Sequence, residues 1–213
     1  FLETDEELGG TMGICQGEYS IFKAKVSRVE TSLDAAFVFY GAERHGFLPL
    51  KELTDDFYEK DDEGKRVCNL KENDEIIVQV LKEERGTKGA ALSAQLSLAG
   101  RFLVLIPNSS RGGGVSRRIS GDERDQVKNI IKQLAIPEGM SVIVRTAGLG
   151  RNIEELNWDL DYLLSMWSQI DKSTKDVDSP SLIYSDDKLI LRVFRDYYSC
   201  LLYTSPSPRD LRK

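Results

Sequence analysis

The sequence is poor in histidine and cysteine and has no long apolar run, and each shortage excludes a class of protein. His45 is the single histidine, which leaves few options for metal ligation or Ser-His catalysis. The three cysteines, Cys15, Cys68 and Cys200, contain no C-x-x-C pair and follow no secretory signal, so neither a disulfide framework nor a zinc site is supported. A reducing cytoplasm fits this cysteine usage. No window approaches the roughly 18 apolar residues of a membrane-spanning helix.

Length and composition indicate one or two ordinary globular domains. The chain has 213 residues, of which 40% are hydrophobic and 30% are charged. Its net charge of -6 argues mildly against a nucleic-acid partner when the charge is averaged over the whole chain. The distribution matters more, because the first 20 residues carry five acids and no base, whereas residues 108–118 carry three arginines and no acid.

Residues 35–50 predict a β-hairpin with aromatic side chains beside basic ones. Small or apolar residues run from 35 to 40, a charged loop follows, and the apolar pattern resumes at 46 until a proline stops it. This pattern places Phe37 and Phe47 on neighbouring strands and Arg44 and His45 at the turn. Exposed rings beside basic groups form a stacking platform for unpaired bases. Buried phenylalanines that hold a small barrel together are commoner, so a core role for both rings stays open.

Further strands complete a small barrel around this hairpin. Residues 21–29 and 75–83 alternate like strands, residues 90–98 run back, and residues 50–66 are interpreted as an acidic loop too polar for a core. The simplest sum is a five-stranded barrel of about eighty residues with the OB architecture. Lys88 lies in a glycine-bounded turn at the barrel mouth, where a lysine is usually only solvated.

A second unit begins at residue 100 and alternates strands with helices. Strands are predicted over 102–106 and 140–144, and a long amphipathic helix over 153–170. Between the strands, Ser120-Gly121-Asp122-Glu123 predicts a capping box that opens a shorter helix. Short β-like runs follow at 182–184 and 189–193. This order predicts a small α/β domain.

Arg145 and Thr146 are the strongest candidates for an anion site. They follow a strand and enter a glycine-containing turn, where backbone N–H groups, a hydroxyl and a guanidinium can converge on a phosphate. The alternative, that Arg145 pairs with an acid on a helix, stays open. The glycine cluster at 112–114 has the spacing of neither a dinucleotide-binding nor a phosphate-loop motif. Four aspartates are predicted to be solvated surface acids rather than metal ligands: Asp159, Asp161, Asp186 and Asp187.

A series of motifs resembles the bacterial ribonuclease E/G family in order and spacing. AAFVFYGAERHGFLPL and KEERGTKGAALS resemble its RNA-binding OB-fold segment, and SLAGRFLVLIPN, GGGVSRRI and VRTAG continue the likeness. The resemblance covers roughly residues 19–198, and such a chain of motifs is far more specific than any one of them. The sequence departs from the family pattern at Phe39, where an acid is usual, at Ala24 for a glycine and at Thr31 for a proline. We expect Phe39 to add an apolar surface or to shift the platform.

The resemblance implies two sites. Five residues of the barrel would contact RNA: Phe37, Phe47, Lys88, Arg44 and His45. Four positions of the second unit would bind a monophosphate on the RNA 5′ end: Arg145, Thr146, the backbone near Val104, and Arg117. Arg118 would extend this pocket beside the glycine cluster, since glycines let the backbone approach a phosphate closely.

The resemblance also implies the fold class and the division of the chain. The expected fold is α+β: a five-stranded OB-fold β-barrel, then a small α/β domain, with remnants of an incomplete ribonuclease H-like domain. The expected divisions are 1–18 unassigned, 19–99 OB-fold RNA-binding domain, 100–190 α/β 5′-sensor domain, 191–199 start of a following domain, and 200–213 an artefact. The last stretch includes CLLYTSPSPRD, which looks like a translated sequencing-library adapter.

By the same resemblance, the parent protein is expected to be a magnesium-dependent endoribonuclease that hydrolyses single-stranded RNA in RNA processing and messenger RNA decay. The family's two metal-binding aspartates and its zinc-binding C-P-x-C pair, which links the subunits of a homo-oligomer, are expected downstream, so no catalytic or metal-binding residue is assigned here. The expected partner is single-stranded RNA, and the expected location is cytoplasmic. Two alternatives stay open: a non-catalytic OB-fold RNA-binding protein, such as a translation factor or RNA chaperone, and an oligosaccharide-binding OB protein, which the arginine-rich second unit disfavours.

Overall fold

The computed structural model describes residues 18–60, 66–109, 114–116, 119 and 121–185. The strands in these ranges are β1 (Ile21–Glu30), β2 (Ala35–Phe39), β3 (Gly46–Pro49), β4 (Tyr58–Lys60), β5 (Arg66–Cys68), β6 (Glu75–Lys82), β7 (Ala91–Ser93), β8 (Leu98–Ala99), β9 (Leu103–Ile106), β10 (Gly114–Val115), β11 (Ser141–Val144) and β12 (Ser181–Tyr184). The α-helices are α1 (Asp122–Ile131) and α2 (Ile153–Asp176).

The first sheet closes on itself as a five-stranded barrel. Its strands follow the order β1-β2-β3-β7-β6, and β6 pairs back onto β1 to complete the ring. Only β3 and β7 run parallel among these pairs. The predicted OB-type barrel and the small α/β unit that follows it are confirmed. The ribonuclease H-like remnants stay a prediction.

Alternate residues of β1 and β2 fill the barrel interior. Phe22 of β1 and Tyr40, just after β2, are fully buried and meet edge to face, with ring centroids 5.2 Å apart. Burial, together with the nearby Glu84 carboxylate, raises the pKa of the Tyr40 phenol to about 12. The phenol therefore stays neutral even at pH values near 10, the ordinary pKa of tyrosine.

The second sheet has the strand order β10-β11-β9-β8, and α2 packs against it. Its core contains apolar residues of β9, β11 and α2, among them Leu105, Val142 and Leu160, and it also contains Ile21 of the barrel. The two units therefore share one hydrophobic cluster. Leu98 and Ala99, which the predicted boundary leaves with the barrel, pair as β8 with β9. The domain boundaries themselves stay predictions.

The chain returns to the barrel after α2. Strand β12, which was predicted inside the second unit, pairs antiparallel with β1. Beside it, Lys23 Nζ lies 3.0 Å from both the Val177 carbonyl oxygen and Glu75 Oε2, and the Ser179 hydroxyl donates to Glu75 Oε1 at 2.6 Å. The Ser179 hydrogen bond and the Lys23 ammonium lower the pKa of the Glu75 carboxyl. These contacts tie the end of α2 to the barrel wall.

The acidic segment after the hairpin is not a simple loop, and this part of the prediction is wrong. Tyr58–Lys60 and Arg66–Cys68 form the antiparallel pair β4–β5, and Leu53 is buried against the barrel core at 3% exposure. The aromatic and apolar residues of this segment pack against the barrel core. They are few among many charged residues, so the sequence pattern does not indicate their burial.

The two helices begin differently. Gly121, which has no side chain, is the N-cap of α1. Ser120, with which the predicted capping box begins, lies outside the described residues, so that box stays a prediction. A capping box is present at α2, where Asn152 Oδ1 accepts from the Glu155 N–H at 2.8 Å and the Glu155 carboxylate accepts from the Asn152 N–H at 3.3 Å.

Candidate nucleic-acid interface

The aromatic platform lies on the outer face of the β2–β3 hairpin. Phe37 and Phe47 are directly opposite each other in the register, and their rings meet edge to face with centroids 6.0 Å apart. Their neighbours Ala36, Val38 and Leu48 alternate to the inside and are fully buried. Phe47 is 37% exposed, so the hairpin presents a ring surface to solvent. Such a surface can stack with a base.

A second ring pair continues this face toward the hairpin turn. Phe39 is 37% exposed and contacts the exposed His45, with ring centroids 5.8 Å apart. The exposed Lys25 of β1 lies opposite Phe39 in the sheet, and Arg28 lies opposite Phe37. Phe39 was expected to add an apolar surface or to shift the platform, whereas Lys25 and Arg28 were not expected on this face. Period-two alternation from Phe37 places Phe39 on the same face, but the position of Arg28 opposite Phe37 depends on a register shift between Val26 and Arg28.

Lys88 is brought beside the hairpin by a tight contact between two turns. Arg44 at the hairpin turn donates to the Gly86 carbonyl, and a Cβ placed on Gly89 would lie 2.2 Å from the His45 carbonyl oxygen. Only glycine permits that approach. Next to it, an open groove of about 570 Å³ is lined by Lys82, Arg85 and Lys88 with three glutamates. The predicted Arg44, His45 and Lys88 therefore lie together in the fold.

In the second unit, Arg145 holds the turn that leads into β9. Its backbone N–H donates to the Phe102 carbonyl at 2.8 Å, and its Nη1 donates to the carbonyls of Gly100 and Arg101, the latter at 3.2 Å. Arg101 and Arg151 each place a guanidinium carbon about 5 Å from the Phe102 ring centroid. Arg145 thus binds the backbone of this turn, while Arg101 and Arg151 contact the ring of Phe102.

Asp159 of α2 accepts hydrogen bonds from backbone N–H groups of the same turn, so the prediction that Asp159 is a solvated acid is wrong. Its Oδ1 accepts from the Arg101 N–H at 2.9 Å, and its Oδ2 accepts from the N–H groups of Phe102 and Leu103, each at 2.8 Å. A Cβ on Gly100 would lie 2.6 Å from that carboxylate. The pattern of the helix could not reveal this role, because it depends on a turn 56 or more residues away.

Besides Arg145, the described residues that were predicted for the phosphate site are Thr146 and Val104. Thr146 is exposed at the start of the turn after β11. Val104 is half-buried in β9 and paired with Ile143. Arg117 and Arg118 lie outside the described residues, as do Asp186, Asp187 and the predicted adapter-derived stretch. The roles of all these residues stay predictions.

Among the described residues, no three His, Cys, Asp or Glu side chains come together as a set that could hold a metal ion. Neither described helix is long and apolar enough to cross a membrane.

Comparison with known proteins matches both units. Residues 17–95 match the model of the S1 RNA binding domain, and residues 97–202 match that of the Ribonuclease E/G family. The chain is 50% identical to ribonuclease E of Escherichia coli (strain K12) over 186 residues, which are 85% of this chain and 18% of that protein. It is also 50% identical to ribonuclease E of Haemophilus influenzae, covering 20% of it, and 32% identical to ribonuclease G of Escherichia coli, covering 38% of it.

The chain thus spans about a fifth of the length of the ribonuclease E proteins it resembles most strongly among these. The two family models follow one another in the order that the sequence motifs predicted, and together they cover both folded units. The chain therefore belongs to the ribonuclease E/G family.

Proposed function

We propose that this chain is the RNA-binding and 5′-monophosphate-sensing part of a single-strand-specific endoribonuclease. One observation carries the RNA-binding part of the proposal: Phe37 and Phe47 are paired across β2 and β3 on the outside of a barrel that matches the S1 RNA binding domain. Aromatic rings on such a barrel stack with successive unpaired bases, and nearby cations neutralise the phosphates. Arg44 and Lys88 supply such cations beside the rings, and His45 adds a further ring that contacts Phe39.

The 5′-sensing part of the proposal is supported by Arg145 and Thr146. Arg145 is anchored to the carbonyls of the 100–102 turn, and an anchored guanidinium fork can bind two oxygens of a phosphate. The exposed Thr146 next to it can add a hydroxyl donor. We assign the backbone near Val104 and the side chain of Arg117 to the same pocket.

The parent protein, in this proposal, is a cytoplasmic homo-oligomer that hydrolyses phosphodiester bonds during RNA processing and messenger RNA decay. Its family relatives carry the name ribonuclease, and such chemistry commonly uses magnesium to activate water and to stabilise the leaving oxygen. The described residues do not fit a metal site, so we assign magnesium, and the zinc that would link subunits, to other parts of the parent. A non-catalytic OB-fold RNA-binding protein is the weaker candidate, because the second unit matches a ribonuclease family model.

Binding of labelled RNA to the purified chain tests the proposal. A single-stranded oligonucleotide should bind more tightly than a duplex of the same sequence, and its affinity should fall with added salt because phosphate contacts release counterions. Incubation with magnesium should leave the RNA intact. Equal affinity for the duplex would contradict base stacking, and cleavage that survives rigorous removal of host nucleases would contradict the placement of catalysis outside this chain.

A further inference from the structure

The turn at 100–103 is held from both sides by charged groups of opposite sign. Arg145 bonds to its carbonyl oxygens, and Asp159 accepts three of its N–H groups at 2.8 to 2.9 Å. Both side chains bind the backbone of Arg101, whose N–H donates to Asp159 and whose carbonyl accepts from Arg145. The position of the Arg145 guanidinium therefore depends on where Asp159 holds the backbone.

We propose that Asp159 is a positioning residue for 5′-phosphate recognition, acting on Arg145 through the 100–103 turn. This inference rests on the proposed 5′-sensing function. Hydrogen bonds that a carboxylate accepts are charge-assisted and stronger than neutral ones, and three of them fix a turn tightly. Asp159 lies on the 24-residue helix α2, between the exposed Trp158 and the buried Leu160. The 100–103 turn is therefore anchored to a rigid element.

Gly100 is required for the same contacts between Asp159 and the turn. A Cβ at this position would lie within 2.6 to 2.7 Å of both Asp159 carboxylate oxygens, which is closer than real Cβ atoms approach. Glycine at 100 is therefore what lets the carboxylate reach the three N–H groups. This contact offers a second way to disturb the turn without changing any charge.

For Asp159→Asn, electrostatic repulsion of the phosphate and positioning of Arg145 predict opposite changes in phosphate affinity, so one measurement separates the two effects. A carboxylate near a phosphate site repels the phosphate, so removing its charge should tighten phosphate binding if electrostatics alone matters. Asparagine retains one oxygen, but its NH₂ group would face backbone N–H donors, so at least one of the three bonds is lost. If Asp159 positions Arg145, the substitution should weaken phosphate binding instead.

The experiment compares the affinity of 5′-monophosphate RNA with that of the matched 5′-hydroxyl RNA for each protein, at one salt concentration. For Asp159→Asn, we expect the ratio of the two affinities to fall about tenfold toward one, since one well-placed bond to a charged group corresponds to roughly that factor. Gly100→Ala should lower the ratio similarly. Asp161→Asn is the matched control, because Asp161 is an exposed acid two residues along the same helix, and its ratio should not change.

The hydroxyl RNA reports the barrel platform alone, so it measures the folded, active fraction of every variant. A purely structural defect lowers both affinities together and leaves their ratio intact, which overturns the positioning role. A ratio for Asp159→Asn that is unchanged or higher than that of the unsubstituted chain also overturns it. If the unsubstituted chain shows no preference for the monophosphate, the proposed sensing function fails, and this inference fails with it.

Discussion

Removal of the Phe47 ring should separate RNA binding from barrel stability. Loss of one base–aromatic stack costs about 1–3 kcal/mol, so Phe47→Ala should weaken single-stranded RNA binding by about 5- to 150-fold. Truncation of a buried phenylalanine costs about 3–5 kcal/mol of folding free energy. Because Phe47 is 37% exposed on the outer face, we expect less, about 1–2 kcal/mol.

Leu48→Ala is the matched control for this substitution. Leu48 is the next residue on β3, but it faces inward and is fully buried. Its truncation should cost about 2–5 kcal/mol of stability and leave the RNA affinity of the folded protein unchanged. Circular dichroism melts and fluorescence titrations of both variants give the two quantities. If Phe47→Ala lowers the melting temperature as much as Leu48→Ala does, with unchanged affinity in the folded fraction, the ring belongs to the barrel core and the platform is wrong.

Three further substitutions test other parts of the account. Phe39→Ala should weaken RNA binding several-fold in the same titration, because its exposed ring lies with His45 on the platform face; an unchanged affinity would place this pair outside the RNA path. Gly89→Ala should lower both the melting temperature and the RNA affinity, since its Cβ would collide with the His45 carbonyl and push the Lys88 turn away; normal values for both would refute that contact. The lowered pKa of Glu75 predicts a stability contribution that is present above its usual pKa of 4.5 and lost as the pH falls through the folded-state value. Glu75→Gln should abolish that part of the acid dependence in melts at pH 3 to 6, and an unaltered pH profile would show that the Ser179–Glu75–Lys23 contacts contribute nothing.

The barrel and the platform were predictable from the sequence because their signals are local. Alternation over residues 35–40 and the break at Gly41 are enough to pair Phe37 with Phe47, and the structure places them directly opposite each other. The long helix was predictable for the same reason, since its apolar stripe has a 3.6-residue period over many turns. Short-range periodicity thus defines elements and the faces that they present.

The hydrogen bonds between Asp159 and the 100–103 turn could not be predicted in this way. Asp159 resembles any polar residue on the outer face of an amphipathic helix, and its three bonds form only when β9 packs against α2. The pairing of β12 with β1 is equally hidden, because its four residues could join either sheet. The strand pair β4–β5 in the acidic segment is hidden for another reason: a high density of charge is typical of a loop, although Leu53, Phe57 and Tyr58 pack against the barrel core.

Recognition of the 5′ phosphate by Arg145 can be tested in a single titration experiment. Labelled 5′-monophosphate RNA and its 5′-hydroxyl twin are titrated against the unsubstituted chain and against Arg145→Gln at a single salt concentration, because phosphate contacts are salt-dependent. The unsubstituted chain should bind the monophosphate RNA more tightly than the hydroxyl RNA. Arg145→Gln should abolish this preference, while binding of the hydroxyl RNA, which depends on Phe37, Phe47 and Lys88, stays nearly unchanged. Equal affinity of the unsubstituted chain for both RNAs, or an equal loss for both in Arg145→Gln, would contradict recognition of the 5′ phosphate by Arg145.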